Sequence, residues 1–352
     1  MCRCQQQNAF GSSFGLLKKV FWSHQLGTSW SSMIFMTPLL GYSFMLLMCV
    51  IVSLRVGDLF FQWVALEVNM LSVIPLLVVK MRERAVLNGL KYFISQSVAS
   101  LVFILRVIMG AGSTVSMVMV SVAILFKMGT PPLHSWLLRI LPSLGYMEMF
   151  LLLRVQKFIP LIVLSQTSIS FPVVVVLIIR CVVFLLFRLN KVGSIFILIF
   201  LSSRRNGLWV LSSLFRVRKW FLFILVYTLI LGTTLTLLNG LRVFKLNDLL
   251  CRGYSGALLV GLQFFNMGGL PPFIGFMLKV IIIKAVLLFS AGLRIVLIFT
   301  SLLIIYLYTT TLYQTYCAVE PYNFNIEGGT PNHIYVMWVV RTLGTTLIMY
   351  LL

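Results

Sequence analysis

The stretch Asn266-Met267-Gly268-Gly269-Leu270-Pro271-Pro272-Phe273-Ile274-Gly275-Phe276-Met277-Leu278-Lys279 lies inside a long apolar run, Gly256–Leu288. Two adjacent prolines cannot continue an ordinary helix. A run this apolar is long enough to cross a bilayer, which takes about 20 residues. The stretch therefore reads as a membrane helix broken part-way, with Lys279 beside the break. A second run, Ser113–Leu138, repeats the pattern in Leu125-Phe126-Lys127-Met128-Gly129-Thr130-Pro131-Pro132-Leu133-His134-Ser135-Trp136. Paired Gly/Pro-interrupted spans mark a repeated transporter architecture whose broken helices line a binding site or ion path. Two short segments are the whole support for that repeat.

Working outward, nine more apolar segments qualify as spans: Met33–Leu54, Leu59–Val79, Gly89–Met109, Tyr146–Ser165, Phe171–Phe187, Val192–Leu214, Phe221–Leu238, Leu293–Tyr316 and Tyr335–Leu352. The connections are short, and the longest polar stretch is Ala318–His333. No short alternating segments of a barrel are visible. The expected fold is an all-α polytopic membrane bundle of about eleven transmembrane helices, two of them discontinuous. The transmembrane domain would cover 33–352. The segment 1–32 reads as an N-terminal extension: it carries no acid and holds Lys18-Lys19 beside Phe21 and Trp22. Both an interfacial segment and a transit peptide fit it, but Arg is sparse for the latter.

Composition agrees. Of 352 residues, 60% are hydrophobic and 10% charged, and mean hydropathy is +1.05. Soluble domains carry about 25% charged residues. The 28 Lys plus Arg against seven acids are spread thinly among apolar runs. That pattern speaks for loop bases that set topology and against nucleic-acid binding. The loop bases at Lys80–Arg84 and Arg216–Lys219 would lie on opposite sides, so they do not orient the chain. The six cysteines form no CxxC pair, which argues against zinc, iron–sulfur and disulfide frameworks.

Charge inside a span costs at least about 2.5–3.5 kcal/mol. Charged residues there face the bundle interior and are functional candidates. Glu67 sits mid-span in Trp63-Val64-Ala65-Leu66-Glu67-Val68-Asn69-Met70. Lys127 and Lys279 each adjoin a Pro-Pro break. A buried lysine there is suited to exchange its proton, and carbonyls freed by the break can bond water or an ammonium. Lys157 follows Arg154 on one helix face, with Glu148 as a possible neutralising partner. His134 follows the first break and can relay protons as a neutral imidazole. Blander readings compete: a structural ion pair for Glu67, headgroup snorkelling for Lys157 and Lys279, a satisfied structural role for His134. A nucleophile elbow, a phosphate loop and a metal-ligand cluster are all missing, so ion movement is expected and bond chemistry is not.

These segments resemble the family of subunit 2 of the mitochondrial proton-pumping NADH:ubiquinone oxidoreductase, respiratory complex I. The resemblance is carried by Trp63–Pro75, by Leu90–Ser100 with Gln96, by Lys127–Trp136, by Gln156-Lys157-Phe158-Ile159-Pro160, and most specifically by Gly268–Lys279. The motifs stand in the family's order across Glu67 to Lys279. Eleven spans also suit the family's shortened animal form.

The resemblance implies an antiporter-like fold in the mitochondrial inner membrane. It implies that Glu67 pairs with Lys127, that Lys127 is the central proton carrier, that Lys157 passes protons along the mid-plane, and that Lys279 faces a neighbouring antiporter-like subunit. It implies partners among the sister antiporter-like and small membrane subunits, contact with phospholipid, and no cofactor in this chain. FMN, iron–sulfur clusters and the NADH-to-ubiquinone chemistry belong to other subunits. Sister subunits 4 and 5 share the broken-helix plan, but Lys279 stands where subunit 4 would have a glutamate. A stand-alone cation/proton antiporter subunit and a non-transporting scaffold are the remaining readings.

The sequence departs from the family's pattern in the seventh span. A basic residue is expected just before a Tyr-Ser-Ser segment, but the chain reads Phe196-Ile197-Leu198-Ile199-Phe200-Leu201-Ser202-Ser203. The nearest bases are Lys191 and Arg204. Arg106 and Arg180 are further span arginines with no motif around them.

Overall fold

The computed structural model describes residues 29–79, 83–109, 114–130, 133–167, 176, 179–184, 186, 194–214, 220–246, 248, 253–271, 273–286 and 291–317. The span expected over Tyr335–Leu352, most of Phe171–Phe187 and most of the 1–32 extension lie outside them, as do Pro131, Pro132, Pro272 and the loop bases Arg216–Lys219.

Twelve α-helices are labelled here in chain order: α1 Ser29–Arg55, α2 Leu59–Val78, α3 Glu83–Met109, α4 Thr114–Met128, α5 Ser135–Ile140, α6 Tyr146–Phe150, α7 Gln156–Gln166, α8 Ile195–Ser213, α9 Trp220–Gly240, α10 Gly253–Gly268, α11 Ile274–Val286 and α12 Ala291–Cys317. The first begins at Ser29, inside the segment read as an extension. A π turn, Leu151–Val155, joins α6 to α7, so the chain runs helically from Tyr146 to Gln166. Pro160 inside α7 has no N–H for the carbonyl one turn earlier. No strand occurs among the described residues; one isolated bridge pairs Ser194 with Lys245.

Five segments are long and apolar enough to cross a membrane: Leu59–Val78, Glu83–Met109, Ile195–Ser213, Trp220–Gly240 and Gly292–Tyr313. Helices α1 to α4 pack in sequence order, and α7 packs against α1, α2 and α4. Helix α8 lies between α9, α11 and α12. Seventeen of its 19 residues are buried, including Ser202, Ser203, Arg204, Arg205 and Asn206. Apolar side chains on the outer helices are turned outward, among them Phe60, Leu71, Ile94, Leu101 and Leu229. A hydrocarbon solvent explains both facts: apolar groups gain little by leaving lipid, while polar groups gather where protein partners can satisfy them.

The two broken runs end alike. Helix α4 stops at Met128 and α10 at Gly268, each followed by a glycine with positive φ, Gly129 at 65° and Gly269 at 71°. Gly129 N–H bonds Phe126 O at 2.9 Å, and Thr130 N–H bonds Leu125 O at 3.0 Å. At the second break Gly269 N–H bonds Asn266 O at 3.1 Å, and Leu270 N–H bonds Phe265 O at 3.2 Å. Both are Schellman caps, which require a left-handed residue that glycine adopts without penalty. A further turn follows in each, from Leu133 N–H to Thr130 O and from Phe273 N–H to Leu270 O. Three backbone bonds are thus shared by the two ends, and Gly269 N–H makes a further one to Phe265 O at 2.9 Å.

Gly275 allows α11 to restart against the end of α10, because a methyl group there would overlap the backbone oxygen of Asn266. Gly41 has open space around it. Gly275→Ala is therefore expected to cost about 1–3 kcal/mol by overpacking, and Gly41→Ala to stay within about 0.5 kcal/mol. The thermal midpoints of the two purified variants check this.

Candidate functional site

The caps leave carbonyls over at each break. Schellman geometry satisfies those three and four residues before the glycine; the last two need side-chain partners. At the first break Gln96 Nε2 donates to Lys127 O at 3.4 Å, and Arg204 Nη1 donates to Met128 O at 2.6 Å. At the second, Arg205 Nη2 donates to Met267 O at 2.7 Å and Arg205 Nη1 to Gly268 O at 3.2 Å. Lys279 Nζ also donates to Gly268 O. Adjacent arginines of α8 thus reach opposite ways, one to each helix end. The negative end of a helix dipole favours a cation at that position.

The residues singled out in the sequence come together around this pair. Lys127 is 6% exposed and its Nζ lies 4.0 Å from Glu67 Oε1. That is an ion pair, too long for a direct hydrogen bond. Asn69 Nδ2 and Tyr92 Oη both donate to Gln156 Oε1, at 3.0 and 2.9 Å, and so join α2 and α3 to α7. Lys157, next along, is buried and donates to Ser203 Oγ at 2.8 Å and Ser203 O at 3.4 Å. Ser203 precedes Arg204, and Arg205 leads to the Gly268 carbonyl that Lys279 shares. Three separate sets of polar contacts result: Glu67 with Lys127, Lys157 with Ser203, and Arg205 with Lys279 on one carbonyl, Gly268 O.

Other candidates sit at the margins. His134 is half-buried. Its ring meets Phe184 edge-on at 4.1 Å between centroids and stacks with Phe200 at 6.2 Å. Glu148, the possible partner of Lys157, accepts from Gly145 N–H at 2.8 Å at the start of α6. Arg154 lies over the Tyr227 ring at 3.7 Å. Arg106 is buried and Arg180 exposed. No group of three or more His, Cys, Asp or Glu side chains arranged to hold a metal occurs among the described residues.

The sequence reading missed Arg204 and Arg205 as site residues. It looked for a base before the Ser202-Ser203 pair, and the bases stand directly after it. The signal was available: two arginines inside an apolar run are costly unless an interior site needs them.

Comparison with known proteins agrees with the resemblance in name. It is 29% identical over 293 residues to NADH-ubiquinone oxidoreductase chain 2 of Myxine glutinosa, covering 76% of this chain and 83% of that one. It is 27% identical over 301 residues to the Gallus gallus protein of the same name, covering 80% and 85%. No family model matches. In three dimensions it is similar to a chain of respiratory complex I from Thermus thermophilus, with a TM-score of 0.71 and 18% identity over 86% of this chain and 76% of that chain. It is also similar to a chain of an Mrp complex from Dietzia, with a TM-score of 0.67 and 18% identity over 78% and 59%. The chain thus resembles NADH-ubiquinone oxidoreductase chain 2 over most of its length, and its fold is the one seen in these chains of the complex I and Mrp assemblies.

Removing the Arg205 guanidinium strands Met267 O and leaves Gly268 O to Lys279 alone. Each orphaned buried acceptor costs about 1–3 kcal/mol. Arg205→Met is therefore expected to lower the thermal midpoint of the purified protein, and Arg180→Met, at an exposed position, to leave it within error. Differential scanning fluorimetry on both variants reads the difference.

Proposed function

We propose that this chain is a proton-translocating membrane-arm subunit of a respiratory NADH:ubiquinone oxidoreductase. The observation that carries the reading is the set of buried lysines with polar partners around the two helix ends: Lys127 beside Glu67, Lys157 on Ser203 and Lys279 on Gly268 O. In this reading Lys127 carries the proton at the first break, and Glu67, at 4.0 Å, stabilises its charged form. Lys157 receives the proton beside Ser203. Lys279 passes it on beyond the second break, and His134 serves the outer end of the first. Arg204 and Arg205 hold the two helix ends against one helix while the lysines exchange protons.

The eleven-span architecture with two discontinuous helices, the 33–352 transmembrane domain and the mitochondrial inner membrane belong to the same proposal. So do the sister antiporter-like and small membrane subunits as partners, with phospholipid around them. The chain is then part of an enzyme without doing redox chemistry itself. FMN and iron–sulfur clusters sit in partner subunits, and electron transfer from NADH to ubiquinone drives the proton movement.

A second reading, a cation/proton antiporter subunit with no redox partner, is favoured by the fold it shares with the Mrp complex chain. Isolation of the native assembly separates the two: the first reading requires co-purifying flavoprotein and iron–sulfur subunits, the second a sodium-dependent proton flux without them. Lys127→Met is expected to reduce proton translocation in reconstituted vesicles at least about tenfold, the scale for losing a group that itself transfers the proton. Intact translocation in that variant, measured with a pH-sensitive dye, would falsify the reading and favour a scaffold.

A further inference from the structure

Between α4, α7 and α8 lies a small cavity lined by Met128, Thr130, Lys157, Cys181, Arg204 and Leu208, among others. Two of these are cations, Lys157 at 5% and Arg204 at 4% exposure, and none is an acid. A guanidinium stays charged in a protein interior. Arg204 spends one nitrogen on Met128 O, while its Nη2 and Nε have no acceptor among the described residues. Its neighbour Arg205 is served differently, with two helix-end carbonyls and Asn206 Oδ1 as acceptors. A lysine ammonium has three donors, and those of Lys157 have two recorded acceptors, both on Ser203. Glu67 faces Lys127.

Uncompensated charge in such a place is costly, and the C-terminal dipole of α4 together with the Phe200 ring, 4.7 Å from the Arg204 guanidinium carbon, offsets only part of one charge. Unused donors of two cations therefore meet at a cavity that offers no negative charge. We propose that this cavity binds a single monatomic anion of the chloride class, held between the Lys157 ammonium and the Arg204 guanidinium, with the Cys181 thiol as a weak third donor. Size sets the class. The space admits roughly one water-sized particle, which excludes phosphate and sulfate; a halide, somewhat larger than water, enters once the lining side chains give slightly. The bound anion supplies the counter-charge that the α8 arginine lacks, and the site exists whether or not the chain moves protons.

The test uses the intact assembly isolated in a halide-free gluconate buffer. Equilibrium dialysis with radiolabelled chloride is expected to show one saturable site that Arg204→Gln weakens at least about tenfold, while Lys284→Gln, at an exposed position, leaves it unchanged. Crystals of the unmodified assembly soaked in bromide are expected to show an anomalous peak within hydrogen-bonding reach of Lys157 Nζ and Arg204 Nη2. The crystallographic arm decides the matter if Arg204→Gln does not assemble. Chloride binding unaltered in Arg204→Gln, or a cavity holding water and no bromide, overturns the proposal.

Discussion

A helix that stops inside a packed bundle leaves carbonyls that need protein partners, and α4 and α10 end in this way. Arg204 and Arg205, adjacent on α8, take three of the leftover oxygens: Met128 O at the first break, Met267 O and Gly268 O at the second. Gln96 takes the fourth, Lys127 O. An unsatisfied peptide group in hydrocarbon costs several kcal/mol, so each break depends on these partners. A single helix carrying both arginines also ties the two broken runs to one rigid element. Because successive side chains on a helix diverge by about 100°, neighbours in sequence can serve opposite sides.

That arrangement explains why α8 is polar in the middle and buried almost throughout. A helix facing lipid could not carry Ser202-Ser203-Arg204-Arg205-Asn206. Packed among α9, α11 and α12, it can, because the ends of α4 and α10 offer carbonyl oxygens to its arginines. The outer helices show the reverse, with large apolar side chains turned outward on α2, α3 and α9.

The charge balance of the interior is lopsided in the same way as that of the whole chain. Lys127, Arg154, Lys157, Arg204, Arg205 and Lys279 are buried, while Glu67 and Glu148 are acids of the interior. Helix C-termini, an aromatic face under Arg154 and serine oxygens beside Lys157 supply the missing negative potential piecemeal. Each is weaker than a carboxylate.

Much of this was legible in the residues. Apolar runs of bilayer length specified the helices, since lipid permits few other ways to close backbone hydrogen bonds. Gly129-Thr130-Pro131-Pro132 and Gly269-Leu270-Pro271-Pro272 specified the breaks, since glycine supplies the left-handed cap and proline cannot extend the helix. Glu67, Lys127 and Lys279 stood out because charge in a span demands a reason. Tertiary structure alone decided which of those charges meet. It set Glu67 4.0 Å from Lys127, Lys157 against Ser203, and Lys279 on the carbonyl that Arg205 also holds. It also decided that Arg204 and Arg205 cap opposite breaks, a pairing across 76 and up to 63 residues of chain that no local pattern encodes. Local sequence sets what a segment can do in lipid, but partners distant in the chain are chosen by how the helices pack.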